Sequence, residues 1–310
     1  MAEAQTKLAG ALSAEARKIL ACVHCGLCLE ACPTYVQTGD ENDGPRGRIY
    51  LMRAVEEGRL AAESRSFERH IDRCLGCRAC ESACPAGVEY GRLLEAARAD
   101  ISAAGRRRGW TSRLLRLVLR HVWLRPARLR FAFRLARLTR DSKLPRAALA
   151  LGLAKILPAR LGLALALLDA SAPARKEPKG KVSPALKGSE GEQVLLFEGC
   201  VTEGLFARVN RATARVLSAN GFRVSAPAGQ VCCGALHAHA GDLEGARELA
   251  RRNLEAFGGA GRAAVVTNAG GCGAMLASYA HLFEHDEEHA ALARDFSERV
   301  RDVSQQLDTA

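Results

Sequence analysis

The sequence lacks the features that would place it in a membrane, in a secretory route or in a substrate-binding enzyme class. Its most apolar segment, residues 147–170, is interrupted by Lys155, Pro158 and Arg160, and the uncharged stretch Leu161–Leu168 is far short of a bilayer span. A spanning helix needs ~20 apolar residues, so no transmembrane helix is expected. The opening MAEAQTKLAGALSAEARKIL has no apolar signal core, and a cytoplasmic location is expected. There is no Rossmann GxGxxG, no P-loop, no Ser/His/Asp set and no paired-carboxylate site. No residue is therefore assigned a catalytic role, and no substrate-binding residue is identified. One region also lacks acids. Between Arg106 and Arg146 stand fourteen Lys or Arg and a single acid, Asp141, which puts +13 there and leaves −2 for the rest of a chain of net charge +11.

No cysteine lies outside three blocks, and those blocks use all twelve. Cys22, Cys25, Cys28 and Cys32 are followed by Pro33; Cys74, Cys77, Cys80 and Cys84 are followed by Pro85. Both spell C-x2-C-x2-C-x3-C-P, the run that holds cubane clusters in two-cluster ferredoxins. Three thiolates of each run fit one cluster, and the fourth comes from the other run. The expected sets are Cys22, Cys25, Cys28 with Cys84, and Cys74, Cys77, Cys80 with Cys32. Zinc prefers separated C-x2-C pairs, which argues against it here. Oxygen-labile thiolates also suit a reducing compartment, where disulfides are rare.

The third block is Cys200, Cys232, Cys233 and Cys272. From Gln193 onward apolar strands (Val194–Phe197, Phe222–Ser225, Ala263–Thr267) alternate with helical patterns, which predicts a small, mostly parallel sheet. Ligands of such sheets sit beyond the carboxyl ends of strands, where these four thiols can converge. Glycines 234, 270, 271 and 273 would let backbone approach a bulky ligand. A metal site and four buried structural cysteines are both open readings, since free Cys is often buried. His237 and His239 are left out as ligands, and HLFEHDEEH (281–289) reads as a solvated helix face.

The expected organisation is α+β and multidomain: an α-helical di-cluster ferredoxin domain at 1–104, a basic helical linker at 105–192 and a small α/β domain at 193–310. In the linker, WTSRLLRLVLRHVWL and ARLRFAFRLARL place Arg and apolar residues at helical spacing, broken by Pro126. Such helices suit an anionic membrane surface, an acidic partner, or a connector with snorkelling arginines. Nothing else in the chain supports nucleic-acid binding.

The phrases FEGCV, QVCCGALHAHAG and VTNAGGCGAML resemble the CCG (cysteine-rich) domain of heterodisulfide reductases and dehydrogenase iron–sulfur subunits. With VHCGLCLEACPTY, GPRGRIYLMR and IDRCLGCRACESACPAGVEYG, the chain resembles the iron–sulfur subunits of glycolate oxidase (glycolate dehydrogenase) from about Ala21 to Gln306. The resemblance implies two [4Fe-4S] clusters and a candidate third in the CCG domain. It also implies FAD on a partner subunit that oxidises glycolate to glyoxylate, and electron flow towards quinone at the inner face of the cytoplasmic membrane. Equivalent subunits of lactate or glycerol-3-phosphate dehydrogenases, and a heterodisulfide-reductase-like catalytic subunit, are the alternatives. Two features depart from the family pattern. Met275 and Ala269 stand where the C-x2-C ending of the CCG pattern would need another cysteine, and the chain stops after one CCG domain where the family usually carries two. A shortened relative or a fragment is therefore expected.

Overall fold

A computed structural model describes residues 10–105, 110–153, 156–172, 191–259 and 261–309. Residues 173–190, most of the Pro/Lys/Ser/Gly-rich stretch expected over 171–192, lie outside them. The chain divides into two compact units, Met1–Arg116 with Leu236–Glu244, and Leu117–Ala235 with Gly245–Ala310.

The first unit is helical. Its longer helices are α1 (Pro45–Glu56), α2 (Arg65–Asp72) and α3 (Tyr90–Ala103). Pro45 starts α1 because a first-turn residue needs no amide hydrogen, and Gly58, left-handed at φ 73°, follows its end. These helices enclose Met52, Phe67, Ile71, Leu93, Leu94 and Ile101. Cys22, Cys28, Cys74 and Cys84 pack on that core, and Cys80 is part of it. A polar knot sits beside it. Asp43 is fully buried and pairs with His70 Nδ1 at 2.8 Å and Arg73 Nη1 at 2.6 Å. Arg48, also fully buried, donates to the His70 carbonyl at 2.7 Å and to Thr34 Oγ1 at 3.1 Å. A charge buried this way is tolerable only because each partner is present.

The second unit is built on a four-stranded sheet: β1 (Gln193–Phe197), β2 (Arg223–Ser225), β3 (Ala264–Thr267) and β4 (Val300–Asp302). The order is β2-β1-β3-β4, and every pair is parallel. β4 escapes a reading of apolar runs because Val300 is its single apolar residue. The basic stretch folds as α4 (Trp110–Val118), a π-helical turn at Leu119–Trp123, and α5 (Pro126–Asp141); α6 (Ala159–Ala170) follows. Sheet crossovers are made by α7 (Cys200–Ala219), α8 (Leu243–Gly258), α9 (Gly270–Ala277) and α10 (Ala290–Arg299). Both faces of the sheet are covered. Val194, Leu196, Leu217, Phe222 and Val266 fill one side, while Phe197 meets Phe257, which meets Phe296 edge-on at 5.7 Å.

Helix α5 is bound to α7 without an intervening layer. A Cβ on Gly204 would lie 2.6 Å from the Phe133 ring, inside contact distance, and Arg137 Nη1 donates to the Gly204 carbonyl at 2.6 Å. Arg140, buried, donates to the carbonyls of Leu205 and Ser171. Phe131, Leu135 and Leu138 of the same helix are exposed, as are Leu151, Ile156, Leu161 and Leu163 beyond it. Among the described residues no helix is long and apolar enough to cross a membrane.

Gly47 tests the packing of the first unit. A Cβ there would overlap the Glu41 backbone carbonyl, which cannot rotate away. Gly47→Ala should destabilise the chain by about 1–3 kcal/mol, read as a lower denaturant midpoint at unchanged slope. An unchanged midpoint would show that the 41–43 turn is free to move.

Candidate iron–sulfur sites

The two ferredoxin-type runs take the same backbone path. In the first, His24 and Gly26 have φ of 55° and 88°; in the second, Gly76 and Arg78 have φ of 68° and 57°. These positions correspond: each lies two residues after the first cysteine of its run or one after the second. Left-handed residues alternating with ordinary ones turn successive N–H groups to one side, which makes a nest for negative charge. The amide of Gly76 lies 3.4 Å from Cys74 Sγ, and the amide of His24 likewise favours the Cys22 thiolate. Glycine is the cheap residue for such a turn; His24 and Arg78 hold it at the positions where glycine is absent.

These loops line two cavities. One is bounded by Cys22, Cys25, Cys28 and Cys84, with Cys80 on its wall. The other is bounded by Cys32, Cys74, Cys77 and Cys80. The fourth cysteine of each run thus lines the cavity that the first three of the other run border. Prolines 33 and 85 line the second and first cavities respectively.

The donor sets suit clusters better than free thiols. Burial, followed by the neighbouring thiols and Glu81, pushes Cys80 up to about 12. Burial also raises Cys22 and Cys28. Cys32 goes the other way: burial opposes ionisation, but hydrogen bonds from Thr34 and the amides of Tyr35 and Thr34, with the Arg48 charge, favour its thiolate. Thiols crowded like this ionise readily only when a cation takes the proton's place, and cluster iron would be such a cation. Tyr90 Oη lies 3.6 Å from Cys74 Sγ, and Arg98 donates to the Cys74 carbonyl at 2.7 Å. Sequence reasoning missed Arg48, Tyr90 and Arg98, because their partners lie 16 to 24 residues away.

His239 belongs to the segment that joins this first unit. Its ring lies against Gly76, and burial with the nearby Arg98 and Arg78 pushes it down to about 4, so it stays neutral. His237 is buried and pairs with Asp242 at 2.9 Å. His281 and His289 pair with Glu284 and Asp286 at the surface, and residues 284–289 form turns where a helix face was expected.

The third block gathers at one rim of the sheet. Cys200 opens α7 just after β1, behind Gly199, whose φ is 68°. Cys232 and Cys233 sit in the loop after β2, and Cys272 lies in the first turn of α9 after β3. Cys200 Sγ and Cys232 Sγ are 3.3 Å apart. Hydrogen bonds with Cys232 and then Cys272, followed by burial, raise Cys233; the bond with Cys233 lowers Cys272; sharing with Cys232, then burial, raises Cys200. Contacts thus run in a chain from Cys200 to Cys232 and through Cys233 to Cys272, a donor set that would fit a metal centre once the four sulfurs close on it. Asn253 fixes the loop that carries the pair. It accepts from the Val231 amide at 2.8 Å, and it donates to the Cys232 carbonyl at 3.1 Å and Tyr279 Oη at 3.0 Å. Tyr279 in turn donates to the Cys233 carbonyl at 2.8 Å.

The two cysteine-bearing domains offer donor sets that suit an iron–sulfur protein. Residues 18–88 match the family model of a 4Fe-4S dicluster domain, and residues 194–277 match that of a cysteine-rich domain (CCG). Over 294 residues the chain is 39% identical to the probable glycolate oxidase iron-sulfur subunit of Bacillus subtilis, covering 94% of this chain and 65% of that protein. It is 38% identical over 298 residues to the glycolate oxidase iron-sulfur subunit of Escherichia coli, covering 94% of this chain and 66% of that one. The chain thus spans about two thirds of the length of these relatives. Lactate utilization protein A of Bacillus cytotoxicus is 32% identical over 113 residues, 36% of this chain and 46% of that protein. No solved structure matches the chain.

Asn253→Ala should free the Cys232–Cys233 loop. In the iron-free chain we expect a loss of about 1–3 kcal/mol in stability and faster reaction of the buried pair with a thiol reagent. Reaction at the wild-type rate would mean that Asn253 does not hold the loop.

Proposed function

We propose that this chain is the iron–sulfur electron-transfer subunit of a 2-hydroxy-acid dehydrogenase, with glycolate oxidised to glyoxylate on a flavoprotein partner that carries FAD. The observation that carries this reading is the pairing of two nested cysteine runs around two cavities, in a chain with no flavin or substrate motif of its own. Cys22, Cys25, Cys28 and Cys84 would hold one [4Fe-4S] cluster and Cys74, Cys77, Cys80 and Cys32 the other; Cys200, Cys232, Cys233 and Cys272 are the candidate ligands of a third. Bound there, the clusters supply one-electron transfer. The chain's own part is to bury the thiolates, direct amides at them and place fixed cations near them, which sets the potential at which electrons pass. The glycolate reading is favoured over lactate because the likeness runs through 94% of the chain, against 36% for the lactate utilization protein.

Electrons would leave towards quinone at the inner face of the cytoplasmic membrane, with the chain held there peripherally. Segment 106–146 supports this, combining a charge of +13 with exposed Phe131, Leu135 and Leu138. Each basic group near an anionic leaflet contributes about 1 kcal/mol, and apolar side chains add burial in the interface.

Anaerobic purification with iron and acid-labile sulfide analysis tests the cluster reading. About eight iron per chain is expected from the two ferredoxin-type sites, and about twelve if the third block is also loaded. Cys22→Ala and Cys84→Ala should lose the same paramagnetic signal, and Cys74→Ala and Cys32→Ala the other. If Cys84→Ala instead matches Cys74→Ala, the crossed pairing is wrong. Zinc without sulfide would sink the electron-transfer function.

A further inference from the structure

The two ferredoxin-type sites have matching nests, so the amides they present cancel when one is compared with the other. Their walls do not match. Around Cys22, Cys25, Cys28 and Cys84 the wall is largely apolar, made by Val23, Pro45, Ile49, Pro85, Ala86 and Val88. Its cation, Arg46, is partly exposed, holds Glu41 and reaches the loop only through the His24 carbonyl at 3.1 Å. Around Cys32, Cys74, Cys77 and Cys80 the wall includes Thr34, Arg48, Arg78 and Tyr90. Buried Glu95 offsets Arg78 at 3.1 Å, and Thr34 gives its one proton to the Asp43 carbonyl at 2.8 Å. Asp43, 3.8 Å from Arg48, offsets much of that charge too. The Tyr90 hydroxyl is what remains. Tyr90 opens α3, is 3% exposed and lies between the two cavities, but its Oη is 3.6 Å from Cys74 Sγ, a ligand of the second site. Arg48 hydrogen-bonds the Tyr90 side chain as well as the His70 carbonyl and Thr34. A guanidinium can only donate. The Tyr90 oxygen therefore accepts from Arg48, which leaves its own proton for the sulfur.

We propose that the Tyr90 hydroxyl, oriented by Arg48, donates to the Cys74 thiolate and sets the site of Cys32, Cys74, Cys77 and Cys80 at a higher potential than the site of Cys22, Cys25, Cys28 and Cys84. A hydrogen bond to a ligand sulfur favours the more negative, reduced state, and so raises the potential. Burial strengthens the effect, because no water competes for the sulfur. The consequence, which rests on the electron-transfer function proposed above, is a direction inside the helical unit. An electron arriving at the Cys22 site passes on to the Cys74 site. One centre gives up one electron as the other gains it, and no proton or further reactant is needed. Tyr90 and Arg48 are positioning residues here, since neither ligates iron.

The test is a potentiometric titration of the anaerobic, iron-loaded full chain, followed by electron paramagnetic resonance. Two midpoints are expected, separated by about tenfold or more in the one-electron equilibrium, which is about 59 mV. Tyr90→Phe keeps the buried ring and removes only the hydroxyl. It should lower the higher midpoint by about tenfold, again about 59 mV, and leave the lower one in place. Coincident midpoints in the wild-type chain overturn the assignment. So does a Tyr90→Phe chain in which neither midpoint moves, both move equally, or only the lower one moves. Should Tyr90→Phe fail to load both clusters, Arg48→Lys decides. It keeps the charge but puts a single ammonium in place of the fork, and it should lower the same midpoint; an unmoved midpoint overturns the assignment. Iron and sulfide are measured first. A wild-type chain that loads neither fails at the electron-transfer function, whereas one that loads both and gives an overturning result refutes the Tyr90 role alone.

Discussion

Thiols crowded within a few ångströms of one another resist ionisation, because each thiolate would repel the next, and much of this structure serves to keep them close. At the rim of the sheet two sulfurs stand 3.3 Å apart, and in the helical unit Cys80 is pushed up to about 12 by burial and its neighbours. No local propensity would produce such crowding. It persists because each cysteine is carried by an element anchored elsewhere, so that separating one pair would mean dismantling a core.

The two units meet this constraint differently. In the helical unit the loops themselves are shaped for charge: left-handed residues at corresponding positions aim amides inward, and Arg48, Arg98 and Arg46 stand behind them. Arg48 is kept in place by Asp43, His70 and Thr34, so the cation near Cys32 is fixed and not merely nearby. In the α/β unit the thiols come from three strand ends and rely on the parallel sheet to bring those ends to one rim. Positioning there passes through neutral groups, with Asn253 and Tyr279 bracing the Cys232–Cys233 loop.

The basic segment joins these themes. On α5, Arg137 and Arg140 are spent on backbone carbonyls of the second unit, so part of the charge that looks solvent-directed in the sequence is structural. Phe133 fills the space left by Gly204, whereas Phe131, two residues earlier, is exposed. One helix therefore has an inward face that lines a cavity beside Cys200 and an outward face with apolar and basic groups together.

The cysteine spacing alone determined the chemistry. C-x2-C-x2-C-x3-C-P suits a cluster better than the separated pairs zinc prefers, and strand–helix alternation after Gln193 put the remaining thiols near strand ends. Pro45, Gly58 and Pro126 marked element boundaries because their backbone restrictions act locally. What the sequence could not disclose depends on distant neighbours. β4 has too few apolar residues to announce a strand and exists because β3 offers it an edge. The segment Leu236–Glu244 follows the cysteine pair in the chain yet belongs to the helical unit, where His239 rests on Gly76. Arg48 and Asn253 look like ordinary residues until tertiary packing buries them, and only burial gives a single hydrogen bond or fixed charge the strength to position a thiol.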